Sequence, residues 1–225
     1  MAKKIEKEYL EFLEKKKQQR VESGFSVDES ELNPSLFPFQ KYCVKRALEA
    51  GKFAMFEDCG LGKTIQQLEW AHHVVKRTQQ PVLILAPLAV ISQTIKEGEK
   101  FGYEVQEISD TDNCNIGAGI YITNYDNMEH VDAGLFGGIV LDESSILKDA
   151  TSSTRKLLTD TFRNTPYKLC CTATPSPNDY MELGTHSDFL GVMTQPEMLS
   201  TFFCHDGGNT SKWRLKGHAE VKFFE

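Results

Sequence analysis

Two short stretches of this chain carry residue types suited to phosphate chemistry. Gly60-Leu61-Gly62-Lys63-Thr64 combines two glycines with an ammonium and a hydroxyl. Glycines let backbone N–H groups converge on a phosphate, and a helix beginning there adds a favourable dipole. In such a loop Lys63 reaches the β- and γ-phosphates of a nucleoside triphosphate, and the Thr64 hydroxyl ligates Mg²⁺. The second stretch, GGIVLDES, places Asp142 and Glu143 behind an apolar run. Triphosphate hydrolysis needs one carboxylate to hold the metal and another to orient or deprotonate the attacking water. Asp142 fits the first role and Glu143 the second. One departure stands out: the strict G-x-x-x-x-G-K-[ST] pattern wants glycine where this chain has Glu57. The bland alternatives are a chance Gly-Lys-Thr at a helix start and a pair of exposed turn acids.

What argues against those alternatives is the placement of both motifs. FAMF reads as a buried strand running directly into the glycine loop, and IQQLEWAHHVVKR as the helix after it, with Ile65, Leu68, Ala71 and Val75 on one side. Further strands are read at VLILA, VQEI, GIYIT, GGIVLD and YKLCCT, and further helices at PFQKYCVKRALEAG, stopped by Gly51, and VISQTIKEGEKFG. Strands alternating with helices predict an α/β fold, a mostly parallel sheet with helices on both faces. Ligands of such sheets bind beyond the carboxyl ends of the strands, so both motifs are expected in one cleft.

The 225 residues, 40% of them hydrophobic, suffice for one sizeable domain with an appendage. A net charge of -7 excludes a wholly basic polyanion-binding domain but not one gripping face. The six cysteines include no CxxC pair and read as reduced thiols. No signal sequence or bilayer-spanning run is found, so a soluble, cytoplasmic protein without membrane contact is expected. Residues 1–35 read as a helical arm and polar linker, 36–200 as the domain that carries both motifs and 201–225 as an appendage. Trp70 reads as core, and His72 and His73 as a surface or satisfied pair. Cys204, His205 and His218 lack paired metal-ligand spacing, and Asp206-Gly207-Gly208-Asn209 reads as a turn. SKWRLKGH interleaves Lys212, Arg214, Lys216 and His218 with Trp213, which suits contact with a nucleic-acid strand or, equally, a solvated hairpin.

With these sites placed, the chain resembles the first RecA-like lobe of superfamily-two helicases and translocases, and within them the Swi/Snf-type ATPases. The motifs run in order from Leu36 to Leu190. LFPFQ resembles the adenine-reading element, which implies a base contact for Gln40. EDCGLGKT resembles the family's phosphate loop, acidic residue at Glu57 included. LILAPLAVISQ implies an approach of Ala86 and Pro87 to the nucleic-acid backbone. YITNYD resembles the tyrosine-bearing motif, and DESSILKD the extended acidic box, from which a nucleic-acid contact is implied for Lys148. TATPSPNDYMEL resembles the coupling motif, in which Thr172, Ala173 and Thr174 relay the nucleotide state; it reproduces Asn178, Glu182 and Leu183 as well.

The resemblance thus implies a RecA-like P-loop NTPase lobe that binds ATP and Mg²⁺ and acts on DNA, double-stranded DNA in this reading. Ser145 stands where the family has His or Asp. The sequence ends at Glu225 with no element resembling the family's second RecA-like lobe, so that lobe is an expected partner and the chain reads as a fragment or split gene product. Two rival readings stay open: a nucleotide-binding interaction module with little turnover, and the motor subunit of a restriction or repair complex.

Overall fold

A computed structural model describes residues 23–112, 115–148, 152–176, 179–206 and 209–224. The expected arm at 1–20, Cys114, Asn178 and the Gly207-Gly208 centre of the expected turn lie outside the described residues.

Six strands form one parallel sheet: β1 (Lys52–Phe56), β2 (Val82–Ala86), β3 (Val105–Glu107), β4 (Ile120–Asn124), β5 (Gly138–Asp142) and β6 (Tyr167–Thr172). Their order across the sheet is β1-β6-β5-β2-β4-β3. All six strands expected from the apolar runs are present. β2 is buried at every residue because helices cover both faces of the sheet. Side-chain alternation divides the core accordingly. Ile84, Val140 and Leu169 face one side with Leu68, Trp70 and Val74, whereas Leu83, Leu85, Ile139 and Leu141 face the other with Phe162 and Phe189.

On the first face lie α1 (Pro38–Ala50), α2 (Lys63–Thr78) and α3 (Ile91–Phe101). Gly51, at φ 73°, ends α1 as expected. α2 is enclosed around most of its girth: Ile65, Leu68, Ala71 and Val74 are buried, and so are Gln66, Gln67 and Glu69. The second face carries α4 (Ser153–Thr161) and α5 (Leu183–Leu190). Arg155 lies on α4, and Arg163 just beyond its end at Thr161. Beyond α5 come α6 (Gln195–Phe202), the antiparallel hairpin of β7 (Phe203–Asp206) with β8 (Asn209–Leu215), and the short α7 (Glu220–Phe224). No described helix is long and apolar enough to cross a membrane.

One stretch departs from the sequence reading. Composition makes residues 23–35 a linker, yet they pack on the lobe. Val27 and Leu32 are buried, and the Phe25 N–H donates to the Leu48 carbonyl at 2.9 Å. Gly24 sits so close to the Leu48 and Glu49 carbonyls that a Cβ would fall within 2.3 Å of both oxygens. Asn33 ties the stretch down, its N–H donating to Glu69 Oε1 at 2.9 Å and its amide to the Tyr103 hydroxyl at 3.0 Å. The same Glu69 accepts from Tyr103 and pairs with His73, so His73 is a buried, satisfied residue while its neighbour His72 stays exposed.

Candidate nucleotide site

The glycine loop leaves β1 at Phe56 and enters α2 at Lys63. Gly60 and Gly62 have φ of 81° and 75°, the left-handed conformation that turns successive N–H groups toward one side. At Gly62 the positive φ favours glycine, and a Cβ there would also press on the Gln40 amide, 2.5 Å from its Nε2. The Lys63 ammonium donates to the carbonyls of Glu57 at 2.9 Å and Asp58 at 3.0 Å, lying along its own loop. Glu57, the departure from the strict pattern, has a structural partner: Gln66 Nε2 donates to its Oε2 at 2.6 Å.

Gln40 is buried, with its amide engaged at both ends. Its Oε1 accepts from the Phe37 N–H at 2.9 Å, and its Nε2 donates to the Leu61 carbonyl at 2.8 Å. The residue expected at the base therefore also latches the start of α1 to the tip of the phosphate loop.

At the end of β5, adjacent to β6, stand the two acids. Gln67 Nε2 donates to Asp142 Oδ1 at 2.7 Å, and the Tyr125 hydroxyl donates to the Asp142 carbonyl at 2.7 Å. Burial pushes the Asp142 carboxyl above its ordinary 3.8, opposed by the bond from Gln67. Glu143 takes the left-handed conformation, φ 53° and ψ 55°, which costs a non-glycine residue about 1–3 kcal/mol. Two hydroxyls hold it there: Thr172 Oγ1 and Ser145 Oγ both donate to Glu143 Oε1, each at 2.7 Å. Ser145, in place of the expected His or Asp, thus serves Glu143 itself. Thr172 Oγ1 in turn accepts the Thr174 N–H at 3.0 Å, which ties the start of the expected coupling loop to the acid; Ala173 lies between them, half-buried.

Asp142, Glu143, Thr172 and Thr174 thus lie at the carboxyl ends of β5 and β6 or just beyond them, and Lys63 and Thr64 open α2 at the end of the loop that leaves β1, as the sheet reading required. The donor chemistry fits Mg²⁺: Thr64 and Asp142 offer hard oxygens, and such ions complete their shells with water and substrate phosphates. Among the described residues no three His, Cys, Asp or Glu side chains group to hold a metal alone. The residues expected to meet nucleic acid are not gathered in the same way. Ala86 is fully buried at the end of β2, so its side chain is closed to any outer partner; the accessible part of that loop is half-buried Pro87 and exposed Leu88. Lys148 is exposed beyond the acidic box.

Sequence reasoning missed the residues that steady the acids. Gln67 lies one helical turn from Thr64 and shares its face, a spacing that could have revealed it. Ser144 and His186 gave no such signal. They meet at 3.1 Å beneath the acidic box, with the His186 ring edge-on to Phe56, the last residue of β1, at 5.2 Å. Burial brings the His186 pKa down to about 4, so its imidazole is neutral at physiological pH.

Comparison with known proteins bears on this geometry. The profile of the SNF2-related domain matches residues 6–202. The chain is 26% identical over 175 residues to the SWI/SNF chromatin-remodeling complex subunit snf22 of Schizosaccharomyces pombe, covering 68% of this chain and 10% of that protein. It is 28% identical over 173 residues to a Caenorhabditis elegans homolog of SWI/SNF-related matrix-associated actin-dependent regulator of chromatin subfamily A-like protein 1, covering 71% and 25%. Among solved structures, the Sulfolobus solfataricus SWI2/SNF2 ATPase core in complex with dsDNA superposes with a TM-score of 0.67 at 22% identity, covering 79% of this chain and 41% of that one. The chain therefore spans between a tenth and a quarter of these curated relatives, and under half of that ATPase core.

Proposed function

Because the chain belongs to the SNF2-related domain family, we propose that it is the ATP-binding first lobe of a DNA-dependent translocase, hydrolysing ATP to ADP and phosphate to move along double-stranded DNA. The observation that carries this reading is the convergence of the Lys63 loop and the Asp142–Glu143 pair at one end of the sheet, with Glu143 bonded to the coupling loop through Thr172.

In this reading the N–H groups around Gly60 and Gly62 cradle the β-phosphate, and Lys63 exchanges its loop carbonyls for phosphate oxygens. Thr64 and Asp142 hold Mg²⁺, which when bound neutralises charge on the phosphates. Glu143 takes the proton of the attacking water, its carboxylate aimed by Thr172 and Ser145. Hydrolysis changes what Glu143 faces, and Thr172 passes that change to Thr174 and the loop beyond. Pro87 and Lys148 contact the DNA backbone.

A second RecA-like lobe completes the cleft in this proposal. The arginine that such sites aim at the γ-phosphate is worth about 10³–10⁵ in rate. Here Arg155 is bonded to Asp188, Arg163 to Asp160, Arg77 lies over the Phe25 ring, and Arg214 stands on β8 of the C-terminal hairpin. The test is phosphate release, with and without duplex DNA, by residues 1–225 and by a longer chain carrying the second lobe. The longer chain is expected to show DNA-stimulated turnover that Glu143→Gln suppresses without loss of ATP binding, and the shorter one very little. Strong stimulated turnover by the shorter chain, or unchanged turnover in the variant, would overturn the assignment. The rival reading, a binding module without turnover, requires the longer chain to be inactive as well.

A further inference from the structure

The coupling loop does not end at Thr174. Ser176, Asp179 and Tyr180 beyond it and the C-terminal hairpin flank an open cleft of about 540 Å³, distinct from the phosphate loop. Ser176, Asp179 and Tyr180 line it from the loop side, and Phe203, Trp213 and Arg214 from β7 and β8. Phe203 is buried and forms the apolar floor; Trp213 is half-buried, while Tyr180 and Arg214 are exposed. His205 covers the Trp213 ring on one side, with centroids 3.8 Å apart. Lys216, another cation of the hairpin, donates to the Ser200 and Thr201 carbonyls at 2.8 and 2.9 Å, which anchors the hairpin to the end of α6.

We propose that this cleft binds one unpaired nucleotide of a DNA strand. The inference rests on the translocase reading and goes beyond its duplex substrate. The volume is that of a small-ligand pocket. Its lining combines aromatic surface for a base, a guanidinium at the rim for a phosphate or a base edge, and a carboxylate. Asp179 accepts the Met181 N–H at 3.0 Å through Oδ1. Its charge opposes a phosphate inside the cleft but accepts an amino group such as that of cytosine N4. The base therefore enters and the phosphate stays outside, near Arg214. Stacking on an aromatic residue with a neighbouring Arg is how sequence-tolerant single-strand sites are built. The position also supplies a use: Ser176 lies two residues beyond Thr174, whose N–H is held by the same Thr172 hydroxyl that holds Glu143. A nucleotide in the cleft touches the loop that registers the state of the ATP site.

The chain contains two tryptophans, and Trp70 is completely buried in the core, so Trp213 alone reports on the cleft. The experiment titrates residues 1–225 with a single-stranded deoxycytidylate 12-mer, reading tryptophan emission in one arm and anisotropy of the labelled oligonucleotide in the other. Binding is expected to quench Trp213 and shield it from acrylamide. Trp213→Ala, checked for folding by circular dichroism, is expected to weaken binding about tenfold. Arg214→Gln is expected to weaken it and lower the slope of log affinity against log salt by about one. Anisotropic binding without any change in emission, and with unchanged affinity in both variants, would overturn the cleft and leave the DNA reading standing. Absence of binding in both arms, with duplex also failing, would overturn both.

Discussion

Thr172, the last residue of β6, and Glu143, the residue that follows neighbouring β5, share a hydrogen bond of 2.7 Å that fixes the orientation of the carboxylate proposed to take the proton from water. The Thr172 hydroxyl donates its proton to Glu143 and accepts from the Thr174 N–H. Thr172→Val keeps the shape and removes both bonds. Hydrogen bonds to charged groups contribute about 1.5–3 kcal/mol, so kcat in a two-lobe chain is expected to fall roughly 10–100-fold while ATP affinity stays within about twofold. Steady-state turnover alongside equilibrium nucleotide binding checks this split; a fall in affinity with unchanged kcat would remove the link.

Gln40 holds the loop through the Leu61 carbonyl and stands where a base contact is expected. Gln40→Ala is expected to weaken ATP and GTP by the same factor, about fivefold, the worth of one hydrogen bond of about 1 kcal/mol. Competition binding with the two nucleotides decides it. A loss confined to ATP would make Gln40 a reader of the base rather than a latch.

Asp142 carries a stability cost for its chemistry. Burial raises its carboxyl pKa in the fold, so between the ordinary 3.8 and the raised value the folded chain holds more protons than the unfolded one. Stability from this group therefore rises as pH falls through that window and is lowest when the carboxylate is ionised. Asp142→Asn is expected to raise Tm at pH 7. The gain should shrink toward pH 4, and Mg²⁺-dependent nucleotide binding should be lost. Calorimetric scans at the two pH values test it; a lower Tm at pH 7 would contradict the burial argument.

Lys168 is an ammonium almost fully enclosed on β6, donating to the Phe189 carbonyl at 2.8 Å. Burial first, and then the charge of Lys52, depresses its pKa from 10.5 to about 8. Between about pH 8 and 10.5 the unfolded chain binds more protons than the folded one, so this group adds stability as pH rises through that window. Lys168→Met removes that contribution and leaves the carbonyl unpartnered, a cost of about 1–3 kcal/mol. The Tm deficit of the variant is expected to be larger at pH 10 than at pH 7.5; an equal deficit at both would refute the linkage.

Local patterns make the sheet and both motifs legible, because buried parallel strands are continuous apolar runs and the loops follow them directly. What escapes are relationships set by tertiary packing. Gln67 and Asp142 lie 75 residues apart, and only the adjacency of α2 to β5 joins them. The stretch from Gly24 to Asn33 reads as linker because its few apolar anchors, Phe25, Val27 and Leu32, are spaced without helical or strand period. Ala86 is misleading for the opposite reason: its motif runs from a buried strand to an exposed loop, and the sequence does not mark where burial stops.

The central claim is that the Gly60–Thr64 loop binds the phosphates of ATP through Lys63. Calorimetric titration of ATP into residues 1–225 in the presence of Mg²⁺, wild type beside Lys63→Ala, tests it directly. A charge-assisted hydrogen bond from the ammonium to a phosphate oxygen contributes about 1.5–3 kcal/mol, so the variant is expected to bind at least tenfold more weakly. Equal affinities for the two proteins would contradict the account.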